Sequence, residues 1–233
     1  MKKNLICALV LVALGACAPE SYIRLSEVGV GTSLQFLTVE NGAAVVTDVS
    51  AEDLPDGEYS YVALLPPDNA VTDSLGIVGV PLQAEDVPSG GNASYSGQHI
   101  IAVVQETGGS VYQLQGSGAI TASADFEGGN LDILYSDILG VRTINGITEG
   151  SEDELVALDL EMALMGASIS GSSFSGGNLT LGGVDFHVVQ PSAEDVVAQG
   201  YFFGPQAMEV GGVITVDDPG VLLVYSAFVA AKE

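Results

Sequence analysis

The chain has 233 residues, 47% of them hydrophobic and only 15% charged, yet 30 acidic residues stand against 5 basic ones. Such apolar content opposes intrinsic disorder, and so acidic a chain repels phosphate backbones and anionic headgroups, which excludes nucleic-acid binding and electrostatic docking on a membrane. Thirty glycines and no tryptophan, among many Val, Ile, Ser and Thr residues, point to short strands joined by tight turns.

The chain opens on a processing signal. Lys2 and Lys3 precede an almost wholly apolar run over 5–14, and the small Gly15 and Ala16 follow. The run is too short for a membrane span, which takes roughly 20 apolar residues. Leu14-Gly15-Ala16-Cys17 resembles the bacterial lipobox. That resemblance implies diacylglycerol on the Cys17 thiol, cleavage before Cys17 and acylation of the new amine. The alternative is a secretory signal cut elsewhere, with Cys17 an ordinary thiol. Ala18 stands where lipoproteins retained at the inner membrane carry aspartate, so the resemblance implies transfer to the outer membrane. Cys7 falls in the discarded segment 1–16, which leaves Cys17 as the one cysteine of the mature chain, without an internal disulfide. Loss of Lys2 and Lys3 leaves Arg24, Arg142 and Lys232 against 30 carboxylates, a net charge near −27. That charge serves solubility, or it complements a basic partner.

Residues 17–26 read as a lipidated tether. A small β-rich region follows over 27–88. Strands are predicted at 33–39 and 43–49 around the Asn41-Gly42 hairpin signal, and at 58–65 with Tyr59, Tyr61 and Ala63 on one face. Pro66-Pro67-Asp68-Asn69 ends the last of these, and the polar, breaker-rich stretch 83–92 sets a boundary. Beyond it, 111–126 has the clearest period of two in the chain. Tyr112, Leu114, Gly116, Gly118, Ile120, Ala122, Ala124 and Phe126 share one face, and mostly polar residues share the other. Glycines at alternate positions let such a long strand coil, or let another side chain pack closely over it. A turn at Glu127-Gly128-Gly129-Asn130 leads to a return strand from Leu131, and 140–154 reads as a polar loop. Val156, Leu158, Leu160, Met162 and Leu164 alternate as a strand despite helix-favouring residues. Further strands are predicted near 167–174, 178–181, 184–189, 197–203, 209–216 and 221–230, with a brief helical turn at 191–195. Successive strands with short turns make an antiparallel up-and-down meander, which closes to bury its edges. The expected fold is all-β: a barrel of about eight strands over 92–233 behind the small β-rich segment. A membrane-spanning barrel is the competing architecture, but it needs aromatic girdles, and aromatics are 6% of the chain.

Five segments resemble one family in order. Ala93-Ser94-Tyr95-Ser96-Gly97 is similar to the opening barrel strand of transferrin-binding protein B-like surface lipoproteins. Ala122-Ser123-Ala124-Asp125-Phe126 with Gly128-Gly129 resembles a strand end of that barrel, and Ile169-Ser170-Gly171-Ser172-Ser173-Phe174-Ser175-Gly176 resembles an inner strand. Gly200-Tyr201-Phe202-Phe203-Gly204-Pro205 with Glu209 and Gly211-Gly212 resembles the family's hairpin, and Phe228-Val229-Ala230-Ala231-Lys232 its terminal strand. The resemblance implies an eight-stranded barrel on a surface-exposed outer-membrane lipoprotein, a non-enzyme that binds a protein or small solute through barrel loops. Family members that capture transferrin are much longer and have two lobes. Their binding loops lie outside these motifs, so no binding residue carries over. Glu209 is expected to accept hydrogen bonds from turn amides within its hairpin.

No acid, base and nucleophile set is visible, and Ser117 between Gly116 and Gly118 lies in mid-strand, the wrong context for a nucleophile elbow. His99 and His187 each fall on a predicted strand. The plain reading of such a histidine is a solvent-facing residue. The sharper one is a haem ligand, since small barrels of the family include haem binders. The carboxylates of 149–154 suit calcium by type but lack an ordered ligand spacing. Three functions stay open: a surface binding lipoprotein, a passive structural lipoprotein facing the periplasm, and a haem-binding barrel.

Overall fold

The computed structural model describes residues 33–40, 43–50, 59–65, 74–79, 82–151, 154–183, 191–218 and 221–233. A small antiparallel sheet, ordered β2-β1-β3-β4, contains β1 (Ser33–Glu40), β2 (Ala43–Ser50), β3 (Ser60–Leu65) and β4 (Ser74–Gly79). The first three match predicted strands. β4 has two glycines in six residues and no clean alternation, so nothing in its sequence announces it. A single 3-10 turn, Ala84–Asp86, follows in the breaker-rich stretch.

The large sheet begins with the long pair β5 (Asn92–Thr107) and β6 (Ser110–Asp125). β7 (Asn130–Ile144), β8 (Ile147–Glu149), β9 (Val156–Ala157), β10 (Glu161–Ser170), β11 (Ser173–Ser175) and β12 (Asn178–Gly182) follow. β13 (Val196–Phe203), β14 (Glu209–Asp218) and β15 (Leu222–Lys232) complete it. β11 and β12 both pair with β10 and act as one strand broken at Gly176-Gly177, whose φ values of 72° and 103° only glycine adopts freely. Pairing of β15 with β5 and of β7 with β10 closes an antiparallel barrel of eight staves: β5, β6, β7, β10, β11–β12, β13, β14 and β15.

The period-two reading of β6 holds: Leu114, Ile120, Ala122 and Ala124 are buried inside, while Thr121, Ser123 and Asp125 are exposed. Three expectations need correction. The polar loop at 140–154 is mostly strand, because β7 runs on to Ile144 and turns back into β8 through Asn145-Gly146, both at positive φ (50° and 83°). This is the Asn-Gly hairpin turn. The strand at 156–164 keeps its inward face, with Leu158, Leu160, Met162 and Leu164 buried, but 158–160 are not paired as strand. The stretch 167–174 is the end of β10, a turn at Gly171-Ser172, and β11. At 191–195 the expected brief turn is present, closed by the Asp195 amide on the Ser192 carbonyl. The strand predicted at 184–189 lies outside the described residues.

Inside the barrel, large side chains sit in notches that glycines open. A methyl group on Gly200 or Gly212 would meet the Phe174 ring at 2.5 Å. Leu158 likewise lies against Gly116 and Gly140. Phe174, Phe202 and Phe228 are fully buried, with Phe174 and Phe228 ring centroids 6.1 Å apart. Strand directions give the barrel two rims. One gathers the turns 126–129, 171–172 and 204–208 with the chain end; the other gathers 108–109, 145–146, 191–195 and 221. The small sheet packs on the outside, where Ile77 of β4 meets Ile100, Val213 and Ala227 of β5, β14 and β15.

Filling one of these notches overpacks the core. Gly212→Ala is expected to cost about 1–3 kcal/mol in urea unfolding, and Phe174→Leu in the same chain is expected to recover part of that loss. A Gly212→Ala variant as stable as wild type would show that the notch is not needed.

Candidate functional site

Backbone strain concentrates in the turn between β13 and β14. Gly204 (φ 67°), Gln206 (φ 56°) and Ala207 (φ 56°) are all left-handed, and two of them carry side chains that disfavour this conformation. The surroundings hold the turn in place. The Tyr95 hydroxyl donates to the Ala207 carbonyl at 2.9 Å, and the Lys232 amide donates to the Met208 carbonyl at 2.7 Å. Burial raises the Tyr95 hydroxyl above its ordinary pKa, so it stays a donor. Below the turn, Phe202 packs between Tyr95 (6.2 Å) and Phe126 (5.2 Å). Pro205 and Gln206 are exposed and Met208 is 46% exposed, so the strained turn presents an apolar side chain to solvent.

Glu209 follows directly and does something its hairpin does not require. Its carboxylate, 9% exposed, accepts the Tyr59 amide at 3.2 and 3.3 Å and the Ser60 hydroxyl at 2.7 Å. The expectation of bonds to turn amides within the hairpin is therefore corrected: the carboxylate reaches about 150 residues back to the front segment. A glycine on each side makes room for the same contact. A methyl on Gly204 would strike the Tyr59 ring at 2.5 Å, and one on Gly79 would strike the Tyr59 carbonyl at 2.5 Å and the Phe203 ring at 2.7 Å. The hairpin is the seat on which the front sheet is fastened.

The motif at the end of β6 is also structural. Asp125 accepts the amides of Glu127 and Gly128 at 3.1 and 2.8 Å, closing the turn into β7, while Phe126 reaches in to Phe202.

Of the two candidate histidines, His187 lies outside the described residues, as does Cys17. His99 is not the solvent-facing residue that a polar strand position suggests. It is 1% exposed, points into the barrel, and meets the Tyr135 ring edge-on at 4.5 Å. Tyr135 in turn takes a hydrogen bond from Ser226 at 3.2 Å. Burial drives the His99 pKa down from 6.5 to about 3, so the ring is neutral at ordinary pH. The acidic stretch at 149–154 spends Glu149 on Arg142, whose Nε and Nη2 lie 2.7 and 2.5 Å from one carboxylate oxygen. Among the described residues no cluster of histidine, cysteine and carboxylate side chains is arranged to hold a metal ion.

The family model for the C-lobe and N-lobe β-barrels of Tf-binding protein B matches residues 87–232. A solved transferrin-binding protein B, a double mutant from Haemophilus parasuis, is similar at 22% identity over 88% of this chain and 38% of its own, with a TM-score of 0.54. The intact N and C lobes of Ap-TbpB are similar at 21% identity over 88% of this chain and 39% of theirs, with a TM-score of 0.51. This chain thus spans about two-fifths of the length of either. No curated protein sequence matches it.

Two outcomes follow from this geometry. Glu209→Ala leaves a buried amide and hydroxyl without their acceptor, at about 1–3 kcal/mol. It is expected to speed hydrogen exchange at Tyr59 and along β3, with Glu209→Gln milder; unchanged exchange in the alanine variant counts against the fastening. His99 binds its proton less readily folded than unfolded. Stability is therefore full above pH 6.5, falls as pH drops towards about 3, and loses at most about 4–5 kcal/mol from this group. The His99→Phe variant should show a shallower acid loss than wild type when both are unfolded in urea across that range, and equal slopes would refute the assignment.

Proposed function

Because the chain belongs to the family of C-lobe and N-lobe β-barrels of Tf-binding protein B, we propose that it is a non-enzymatic surface lipoprotein that binds a partner through loops at one barrel rim. The observation that carries this reading is the packed barrel interior. Aromatic and aliphatic side chains fill the glycine notches, and inward residues from all eight staves form one buried cluster, with Tyr112 and Phe126 partly buried at its edges. Recognition then belongs to the outer surface and the rims, which favours a protein partner over a small solute enclosed in the lumen. The family's name concerns a protein ligand; the partner of this chain is left to experiment, since it spans only part of those relatives.

The rim that carries the strained turn is the better candidate. A preorganised turn loses little entropy on binding, and Met208 offers an adaptable apolar contact. The opposite rim carries Glu106, Glu149, Glu154, Glu194, Asp195, Asp217 and Asp218, with Arg142 paired to Glu149, which suits solubility. Location comes from Cys17. Its thiol has no competitor in the mature chain, and the charge near −27 leaves acyl chains as the means of attachment. The address proposed is the outer leaflet of the outer membrane.

Globomycin is expected to make the precursor accumulate, and Cys17→Ala to release the protein from the membrane fraction. Protease added to intact cells should degrade the wild type; survival in every growth condition would place it on the periplasmic side and overturn surface binding. The mature chain should retain a protein from native extracellular medium that Met208→Glu, with an unchanged melting temperature, does not. Equal retention by both would move the contact away from this turn.

A further inference from the structure

His99 is buried, and among the described residues neither ring nitrogen has a hydrogen-bond partner. That is costly in an apolar core, and a native structure normally answers it. The neighbouring wall is itself irregular. His99 pairs with Gly118 across β5 and β6, and at that glycine the β6–β7 register slips. Ser117 pairs with Leu139 and Ala119 with Ser136, so Gly118 faces both Asp137 and Ile138. This is a β-bulge, and Asp137 pays for it with a left-handed φ of 52°.

The bulge brings three polar atoms to one place. A methyl group built on Gly118 would lie 2.5 Å from the Ser136 carbonyl oxygen, 3.0 Å from that of Asp137 and 3.0 Å from His99 Nε2. The absent side chain is what leaves these atoms facing one another. Among the described residues no charged group acts on His99, whose pKa is lowered by burial alone. Tyr135 presents its ring edge and gives its oxygen to Ser226, and the Asp137 carboxylate lies on the exposed side, within 3.3 Å of the Ser136 hydroxyl.

We propose that this convergence is a binding site for one internal water molecule, held by the Nε2–H of neutral His99 and by the Ser136 and Asp137 carbonyls. The water accepts from Nε2–H and donates its two protons to the carbonyls, which gives it the three partners typical of a buried water. No other small species balances one donor against two acceptors so simply: a cation would meet Nε2–H head-on, and an anion would meet the carbonyls. The site fixes the Nε2–H tautomer and ties the ring to the bulge. His99 is thereby a positioning residue. It holds the point at which β6 and β7 change direction towards 110–115 and 140–149, the hairpins of the second rim.

Nitrogen-15 long-range correlation on the full mature chain at neutral pH reads the tautomer, and cross-relaxation with solvent reads the water. The expected result is a protonated Nε2 whose proton exchanges slowly and shows a negative-sign, long-lived cross-peak to water. His99→Leu should remove that peak and shift the amides of Gly118 and Asp137, while His99→Gln, which keeps a donor, should shift them less. A protonated Nδ1, or a protonated Nε2 without a water cross-peak, overturns the proposal. Both readouts come from the wild type, so they decide the matter even where His99→Leu fails to fold.

Discussion

Eight strands enclose a lumen that side chains can just fill, and the width of that lumen governs the rest of this molecule. Phe174 cannot lie across the axis unless Gly200 and Gly212 give it space, and Leu158 needs Gly116 and Gly140 in the same way. The chain's many glycines are therefore not looseness. Gly116, Gly140, Gly200 and Gly212 are complementary volume, placed against the large side chains of Leu158 and Phe174. The described part of a barrel filled in this way favours recognition of a large partner at its outer wall or its rims. The same packing makes those rims rigid, because each turn is held at both ends by strands that cannot shift independently.

Rigidity is passed outwards by a carboxylate. Glu209 sits nearly dry and without an ion-pair partner among the described residues, which would be prohibitive had the Tyr59 amide and the Ser60 hydroxyl not been turned towards it. A chain with so few basic residues has little choice: it must neutralise buried acid with neutral donors. The consequence is directional. Hydrogen bonds from a backbone amide fix the front segment's position more tightly than an ion pair with a long side chain would. The strained turn at Gly204–Ala207 lies immediately before this carboxylate, and the Tyr59 ring lies against Gly204. Front sheet, turn and barrel end thus form one contiguous surface.

Much of the barrel was legible because its signals are local. Alternation in β6 reports the inward face directly, and glycine pairs mark the ends of strands. Where the reading failed, the deciding contact is remote or the local signal is ambiguous. Val141, Thr143 and Ile144 sit among turn-forming residues, so the end of β7 looks like loop until the Asn145-Gly146 turn is taken as a hairpin. Residues 158–160 alternate yet are tied to β7 only by the Leu158 amide on the Ile138 carbonyl, since alternation reports burial rather than pairing. Glu209 was expected to act within its hairpin because nothing in the sequence links position 209 to position 59. His99 looked like a surface residue because polarity alone argues for solvent. Its position was nonetheless legible in phase: counting by two from Tyr95 through Gly97 to Ile101 puts residue 99 on the inward face.

Charge completes the division of labour between the ends of the barrel. The wall formed by β5 and β6 carries only serine, threonine, glutamine and small residues on its exposed face between Asp125 at one end and Glu106 at the other. Carboxylates collect instead at the rim of 145–146, 191–195 and 217–218, where they are mutually repulsive and well hydrated. Repulsion of that kind disfavours close approach by acidic proteins at that end and is weakened by salt. The rim with the Gly204–Ala207 turn has fewer like charges and includes Lys232. An approaching surface therefore meets the least electrostatic resistance where the backbone is most preorganised, and the field and the packing select the same end of the molecule.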